Sequence, residues 1–236
     1  MKKLIYIIPF LIICCNIIGQ NTLIKYSYES KFTKEQLENN EIAAVLKDVV
    51  ANDKNINLEL VFNDTISIFR YIDGLNVDDF SNIAKSICGC GQPYIQHKNF
   101  YYTNNDELMM EKNSYVIKDT IKKNWQITNE TKNIDGLICY KATLNEIEIQ
   151  PNGMPYEHNI IAWFCPSIPS SFGPIGFGGL PGTILILETN SSIFKVKEII
   201  KNNSERIVNN LKGKIVTKKE FDAISYKSFE EGMFKE

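Results

Sequence analysis

From Tyr94 to Ile200 the chain repeats one pattern, a short run of β-branched, aromatic and aliphatic residues followed by a few turn formers. The runs are Tyr94 to Thr103, Glu107 to Lys112, Tyr115 to Ile121, Trp125 to Thr128, Leu137 to Ile149, Asn159 to Cys165, Thr183 to Glu188 and Ile193 to Ile200. Alternation with a period of two marks strands. Parallel neighbours need crossovers of roughly a dozen residues or more, and gaps such as Asn104-Asn105-Asp106 are too short for that. The succession therefore predicts an antiparallel sheet.

The flanks add a few further elements. Thr22 to Ser30 alternates as a strand, and Ile56 to Phe62 and Thr65 to Ile72 form a hairpin pattern around Asn63-Asp64. Thr33 with Gln36 makes a capping box, after which Leu37, Ile42, Val45, Leu46 and Val49 recur at helical spacing, predicting a helix from about Lys34 to Val50. Thr217 and Glu220 open a closing helix over Lys218 to Phe234. The fold class expected is α+β: a mainly antiparallel, curved, half-barrel-like sheet with one helix in the N-terminal half and another at the C-terminus packed on it.

The first twenty residues read differently. Lys2 and Lys3 precede an apolar run from Leu4 to Ile18, and Gly19 leads into polar Gln20, Asn21 and Thr22. This is the layout of a secretory signal peptide. The run is shorter than the ~20 residues of a membrane span. Cys14 and Cys15 lack the small residues a lipobox needs before them, since Ile12 and Ile13 stand there. Cleavage after Gly19 or Gln20 leaves a single domain over 21–236, with no linker, repeat or later apolar span. The chain's formal charge of −2 becomes −4 without the two lysines, and no basic cluster forms. Nucleic acid is a poor candidate partner for such a surface.

Cys88, Cys90, Cys139 and Cys165 remain in the mature chain. An even number outside the cytoplasm favours disulfides. If the turn between the two strands centres near Asn152, facing residues sum to about 304, as Cys139 and Cys165 do. A cross-strand bridge there would add roughly 3 to 4 kcal/mol; two packed thiols are the alternative. Cys88-Gly89-Cys90 reads as a bridge within a tight turn, or, with His97 on the next strand, as a soft metal or thiol site. Neither His97 nor His158 lies beside a nucleophile signature such as G-x-S-x-G. Glu146 and Glu148 share one strand face, read as solvated, with Ile147 and Ile149 on the apolar face opposite. The expectation is a protein without catalysis and without a cofactor.

Half of the ten positions from Gly173 to Gly182 are glycine and two are proline. A strand, Thr183 to Leu187, follows where a phosphate-binding loop would lead into a helix, so a phosphate cradle is excluded. Leu180-Pro181-Gly182-Thr183 predicts a type II turn. The loop from Pro166 to Gly182 reads either as a structural corner or as an exposed binding loop. Gly179-Leu180-Pro181-Gly182-Thr183-Ile184, together with Trp125-Gln126-Ile127-Thr128, Cys139-Tyr140-Lys141-Ala142-Thr143, Ala162-Trp163, Ile168-Pro169 and Gly173-Pro174, resembles the GLPGLI family of exported bacterial proteins in order and spacing. Thr183 departs from the family's usual leucine, and Cys165 is not expected of it. The resemblance implies an envelope protein of unassigned activity and brings no catalytic residues. The resulting expectation is an exported protein, periplasmic or associated with the outer membrane, that binds a protein partner or an apolar ligand. Its binding elements would be the curved face and a loop presenting Trp163, Ile168, Pro169, Gly173, Pro174, Gly179, Leu180, Pro181 and Gly182.

Overall fold

The computed structural model describes residues 21–38, 43–72, 85, 87–105, 114–149 and 154–233. The expected signal segment and the strand expected over Glu107 to Lys112 lie outside the described residues. Strands β1 (Asn21–Ser30), β2 (Leu58–Phe62), β3 (Ile66–Tyr71), β4 (Tyr94–His97), β5 (Phe100–Asn104) and β6 (Tyr115–Thr120) precede β7 (Gln126–Ile134), β8 (Leu137–Ile149), β9 (Pro155–Cys165), β10 (Thr183–Glu188), β11 (Ser192–Asn203) and β12 (Lys214–Thr217). Helices α1 (Lys34–Glu38) and α2 (Ala43–Asn52) follow β1, and α3 (Lys218–Met233) closes the chain.

All twelve strands join one sheet in the order β12-β6-β5-β4-β3-β2-β1-β11-β10-β9-β8-β7. The chain thus runs as a meander from β1 to β6, restarts at the far edge with β7, and meanders back until β11 pairs with β1. Every pairing is antiparallel except β12 on β6, where Lys214 to Thr217 lie beside Tyr115 to Lys118 in parallel. Sequence alternation did not anticipate β12, because KIVT is only four residues long and the stretch before it is polar.

The connections dictate a curled sheet. Ten strand steps separate β6 from β7, which in a flat sheet is roughly 48 Å. Only residues 121–125 link them, and Thr120 to Gln126 can span about 22 Å at full extension. The sheet must therefore bend round until its two ends face each other. Side chains meet across that gap: Lys122 Nζ lies 2.9 Å from Glu146 Oε2, and Lys218 Nζ lies 3.8 Å from Glu148 Oε1. Among the described residues no backbone ladder closes the gap, and the sheet is open, strongly curved and half-barrel-like, as expected.

Local sequence explains the helices. Thr33 N donates to Gln36 Oε1 at 2.9 Å and Gln36 N donates to Thr33 Oγ1 at 3.2 Å, the reciprocal capping box that starts α1. The helix expected as one piece is described as two, and Ala43, Leu46 and Val49 form the buried stripe of α2. Just past α2, Asp53 accepts Ser30 N at 2.6 Å and so ties the helical layer to the end of β1. A second capping box, Thr217 with Glu220, begins α3, whose Phe221 meets Tyr115 of β6.

The main core lies inside the curl. Ile24, Tyr26 and Tyr28 of β1, Leu58 and Leu60 of β2, Phe69 of β3, Leu187 of β10 and Phe194 of β11 are all buried there. Tyr26, Phe69 and Phe194 stack edge to face in sequence, with ring centroids 6.0 and 5.9 Å apart. A smaller cluster of Leu23, Val61, Ile68 and Ile95 sits on the outer face beneath Ile207 and Leu211. No helix among the described residues is long and apolar enough to cross a membrane.

Candidate functional site

The loop between β9 and β10 folds back into the curl rather than projecting from it. Of the nine residues expected to form a binding loop, Trp163, Ile168, Gly173, Pro174, Leu180 and Gly182 are buried, and Pro169, Gly179 and Pro181 are exposed. The loop leaves the β9 and β10 side of the sheet and touches the opposite wall: Phe172 packs on Phe62 of β2, and Gly176 lies against the Tyr101 ring of β5. It fills the concavity that would otherwise be open to a ligand.

Gln96 of β4 holds it there. This side chain is fully buried; its Nε2 donates to Gly176 O and Phe177 O, both at 3.0 Å, and its Oε1 accepts from Gly173 N and Ser67 Oγ, both at 3.3 Å. The clamp supports an unfavourable backbone, since Ile175 has φ of 43° and ψ of 41°. A β-branched residue in the left-handed region costs about 1 to 3 kcal/mol. Trp125 Nε1 donates to Gly178 O at 2.8 Å, fixing the loop to the β6 to β7 link, and Tyr26 OH donates to Ile184 O at 2.6 Å just beyond the loop. Burial pushes the Tyr26 phenol well above its ordinary pKa.

The turn that ends the loop is tighter than the type II turn expected. Gly182 N donates to Leu180 O at 2.9 Å, closing a three-residue turn at Pro181, while Thr183 N goes instead to Ile168 O at 3.1 Å. Gly182 has φ of +155°, and a Cβ there would lie 2.5 Å from the carbonyl carbon and oxygen of Cys165. Thr183, standing where the resemblance expects leucine, donates its hydroxyl to Ile168 O at 3.0 Å and meets Ser170 Oγ at 2.6 Å. The hydroxyl is therefore bonded although the residue is buried.

The cysteines fall into two pairs. Cys88 and Cys90 are bonded to each other and buried. They offer no thiolate, and His97 is an exposed residue at the end of β4. Among the described residues no group of three or more His, Cys, Asp or Glu is placed to hold a metal ion. Cys139 and Cys165 are free and fully buried. The β8 to β9 register pairs Tyr140 with Phe164 and Lys141 with Trp163, sums of 304 as expected, while the turn expected near Asn152 lies outside the described residues.

The arm made by the far ends of β8 and β9 departs from the sequence expectation at its isoleucines. Glu146, half-buried, and Glu148, exposed, reach across the sheet gap toward Lys122 and Lys218, and His158 Nε2 lies 2.8 Å from Glu148 Oε2. The bond with His158, helped by Lys218 and Lys122, holds the Glu148 carboxyl below its ordinary pKa. Because strand faces alternate, Ile147 and Ile149 then point outward, each 66% exposed, with Met154 62% exposed at the arm's end. Ile138 and Tyr140 add exposed apolar surface nearer the root of β8. A separate surface pocket of about 530 Å³ is lined by Lys25, Asn57, Glu59, Lys197 and Glu198 over Tyr26 and Leu58, and Lys25 is paired with Glu198 at 2.8 Å.

Comparison with known proteins places these elements in context. A family model described as a protein of unknown function (Porph_ging) matches residues 148–188, the span that holds the end of β8, all of β9, the folded-back loop and β10. Curated relatives are UvrABC system protein C of Borrelia garinii subsp. bavariensis and of Borreliella burgdorferi. Each is 26% identical over 132 residues, 53% of this chain and 22% of the relative, so the chain spans about a fifth of their length. Two crystal forms of PNGF-II superpose with TM-scores of 0.51 and 0.50 over 89% of this chain and about a third of PNGF-II, at 14% and 16% identity. At that identity the likeness is one of fold alone. The chain thus resembles a known sheet architecture, and the family whose model matches residues 148–188 has no assigned function.

Proposed function

We propose that this chain is an exported, non-enzymatic binding protein of the cell envelope that engages a protein partner through the β8 to β9 arm. One observation carries the reading: Ile147, Ile149 and Met154 stand in solvent, while Glu146 and Glu148 on the other strand face reach toward Lys122 and Lys218. Clustered apolar side chains rimmed by charge mark interaction surfaces. Glu146, Glu148 and Glu157 on the arm disfavour an anionic lipid surface, and the folded-back loop occupies the concave face where an apolar small molecule would sit. The loop's role in this reading is to stiffen the wall from which the arm projects. Export is supported by the layout of the first twenty residues and by the Cys88 to Cys90 bond, which suits an oxidising compartment.

The test places a photo-crosslinking amino acid at Ile149 in cells that export the chain, with a control at Val208, an exposed residue away from the arm. A protein captured at Ile149 and not at Val208 is then purified and titrated against wild type and Ile147→Ser/Ile149→Ser. At least tenfold weaker binding by the variant, with unchanged melting temperature, is expected. Equal affinity for both chains, or equal capture at both positions, would remove the arm from the binding role.

A further inference from the structure

We propose that Cys139 and Cys165 are a second disulfide site, oxidised while the chain folds, which fastens β8 to β9 at the root of the arm and directly beneath the Gly182 turn. The inference is independent of the binding role.

Three observations carry it. The antiparallel register places the two cysteines opposite each other, one step beyond Tyr140 and Phe164. Directly opposed residues on antiparallel strands have Cα atoms about 4.5 to 5.5 Å apart, within the range a disulfide spans. Both thiols are fully buried, Cys139 Sγ resting 3.7 Å from Leu137 O and Cys165 Sγ 3.0 Å from Ser167 Oγ, and among the described residues no metal-binding cluster competes for them. Finally, the turn at Gly182 lies on the Cys165 backbone, covering the pair from the loop side.

The chemistry balances as thiol–disulfide exchange with a small disulfide such as oxidised glutathione. One cysteine thiolate attacks the glutathione disulfide and releases one glutathione thiolate. The second cysteine then attacks the mixed disulfide and releases the other. Two S–H bonds are lost, one Sγ–Sγ bond forms, two protons pass to solvent, and two electrons reduce one glutathione disulfide to two thiols. Timing follows from burial. Both residues are fully buried, so a small disulfide cannot reach either sulfur in the folded chain, and desolvation with the neighbouring Cys165 also pushes the Cys139 thiol up to about 12. The exchange therefore belongs to the unfolded or folding chain, before the Gly182 turn seals the site.

The test refolds the full, reduced chain from urea with a glutathione redox couple, blocks remaining thiols with an alkylating agent, and maps the cross-linked peptides. A Cys139 to Cys165 link is expected beside the Cys88 to Cys90 link, and it should persist in a Cys88→Ser/Cys90→Ser variant. Adding oxidised glutathione to the already folded, reduced protein should form the Cys139 to Cys165 link at least a hundredfold more slowly. The structure accommodates both residues as free thiols, so Cys139→Ser/Cys165→Ser should fold, with a melting temperature lower by about 10 °C than the oxidised wild type. Alkylated Cys139 and Cys165 in the refolded chain, or links from either to Cys88 or Cys90, would overturn the proposal. Equal melting temperatures would overturn the fastening role.

Discussion

The folded-back loop and the β8 to β9 arm are joined through β9, yet they break opposite habits of folded chains. The loop carries glycines, prolines and small polar residues, the composition of a surface connection, and is packed into the curl. The arm carries the regular alternation of a sheet strand and shows its apolar side to water. What decides each case is where the polar partners are. Gln96, itself held by Ser67 Oγ, and Trp125 bond buried carbonyls and an amide of the loop, which lowers the penalty for burying its backbone. Lys122 and Lys218 draw the arm's acids inward from the other end of the sheet, and the isoleucines must then face out. Tertiary partners, not local composition, assign inside and outside.

If the loop is a structural plug, damage to it should unfold the protein. Gly182→Val sets a branched side chain against the Cys165 carbonyl and should cost about 4 kcal/mol or more. Soluble yield and the urea midpoint would report it; a midpoint near wild type would show that the loop yields easily and is not a plug. Gln96→Leu keeps the volume but strips Gly176 O, Phe177 O and Gly173 N of their bonds at once. A loss of about 3 kcal/mol is expected, measured by equilibrium denaturation. Trp125→Phe removes one hydrogen bond to Gly178 O and keeps the ring contact with Phe177. About 1 kcal/mol should go, and a loss as large as that of Gln96→Leu would mean the ring, rather than the bond, fixes the loop.

Much of the fold was legible in the sequence because much of it is local. Thr33 with Gln36 and Thr217 with Glu220 set helix starts from four residues each, Leu137–Ile149 is a β-rich run between turn formers, and Thr183–Glu188 is a short apolar run that follows the Pro181-Gly182 turn. Even the β8 to β9 register followed from a turn near Asn152. The curl was less accessible, since it depends on β7 restarting at the opposite edge from β6, a long-range choice that no window of residues encodes. The expected burial of Ile147 and Ile149 failed for that reason. Lys122 and Lys218 are distant in sequence and become neighbours only when the sheet bends. Gln96 gave no sequence signal beyond being a polar residue within a strand. The loop's glycines, by contrast, announced a demanding backbone without saying whether it was buried or displayed.

The arm's inward acids should contribute little to stability, and in a particular pH window. Glu148 has its folded pKa lowered, first by His158 and then by Lys218 and Lys122. Its stabilisation is therefore present above the unfolded value of 4.5 and fades as pH falls through the lower folded value. The side chain is about half exposed, 47%, so screening holds the effect to a few tenths of a kcal/mol. Wild type should exceed Glu148→Gln in urea midpoint at pH 7, and the gap should close near pH 3. A gap that persists at pH 3 would mean that the charge does not matter there.

A similarly small stability effect belongs to the residues proposed to matter most for binding. Ile147→Ser/Ile149→Ser removes two side chains that already stand in water, so little burial is lost and the urea midpoint should shift by under about 0.5 kcal/mol. Serine is a poorer strand former than isoleucine, which sets the sign of that small shift as destabilising. Glu146→Ile/Glu148→Ile is the converse, because it makes the arm apolar on both faces and deletes its links to Lys122 and Lys218. If those links orient the arm, amide hydrogen exchange along β8 from Asn145 to Ile149 should quicken in this variant while Cys139 to Ala142 near the root stays protected. Uniform exchange along all of β8 would show instead that the arm is held by its ladder to β9 alone, and that the outward display of Ile147 and Ile149 does not depend on the ion pairs.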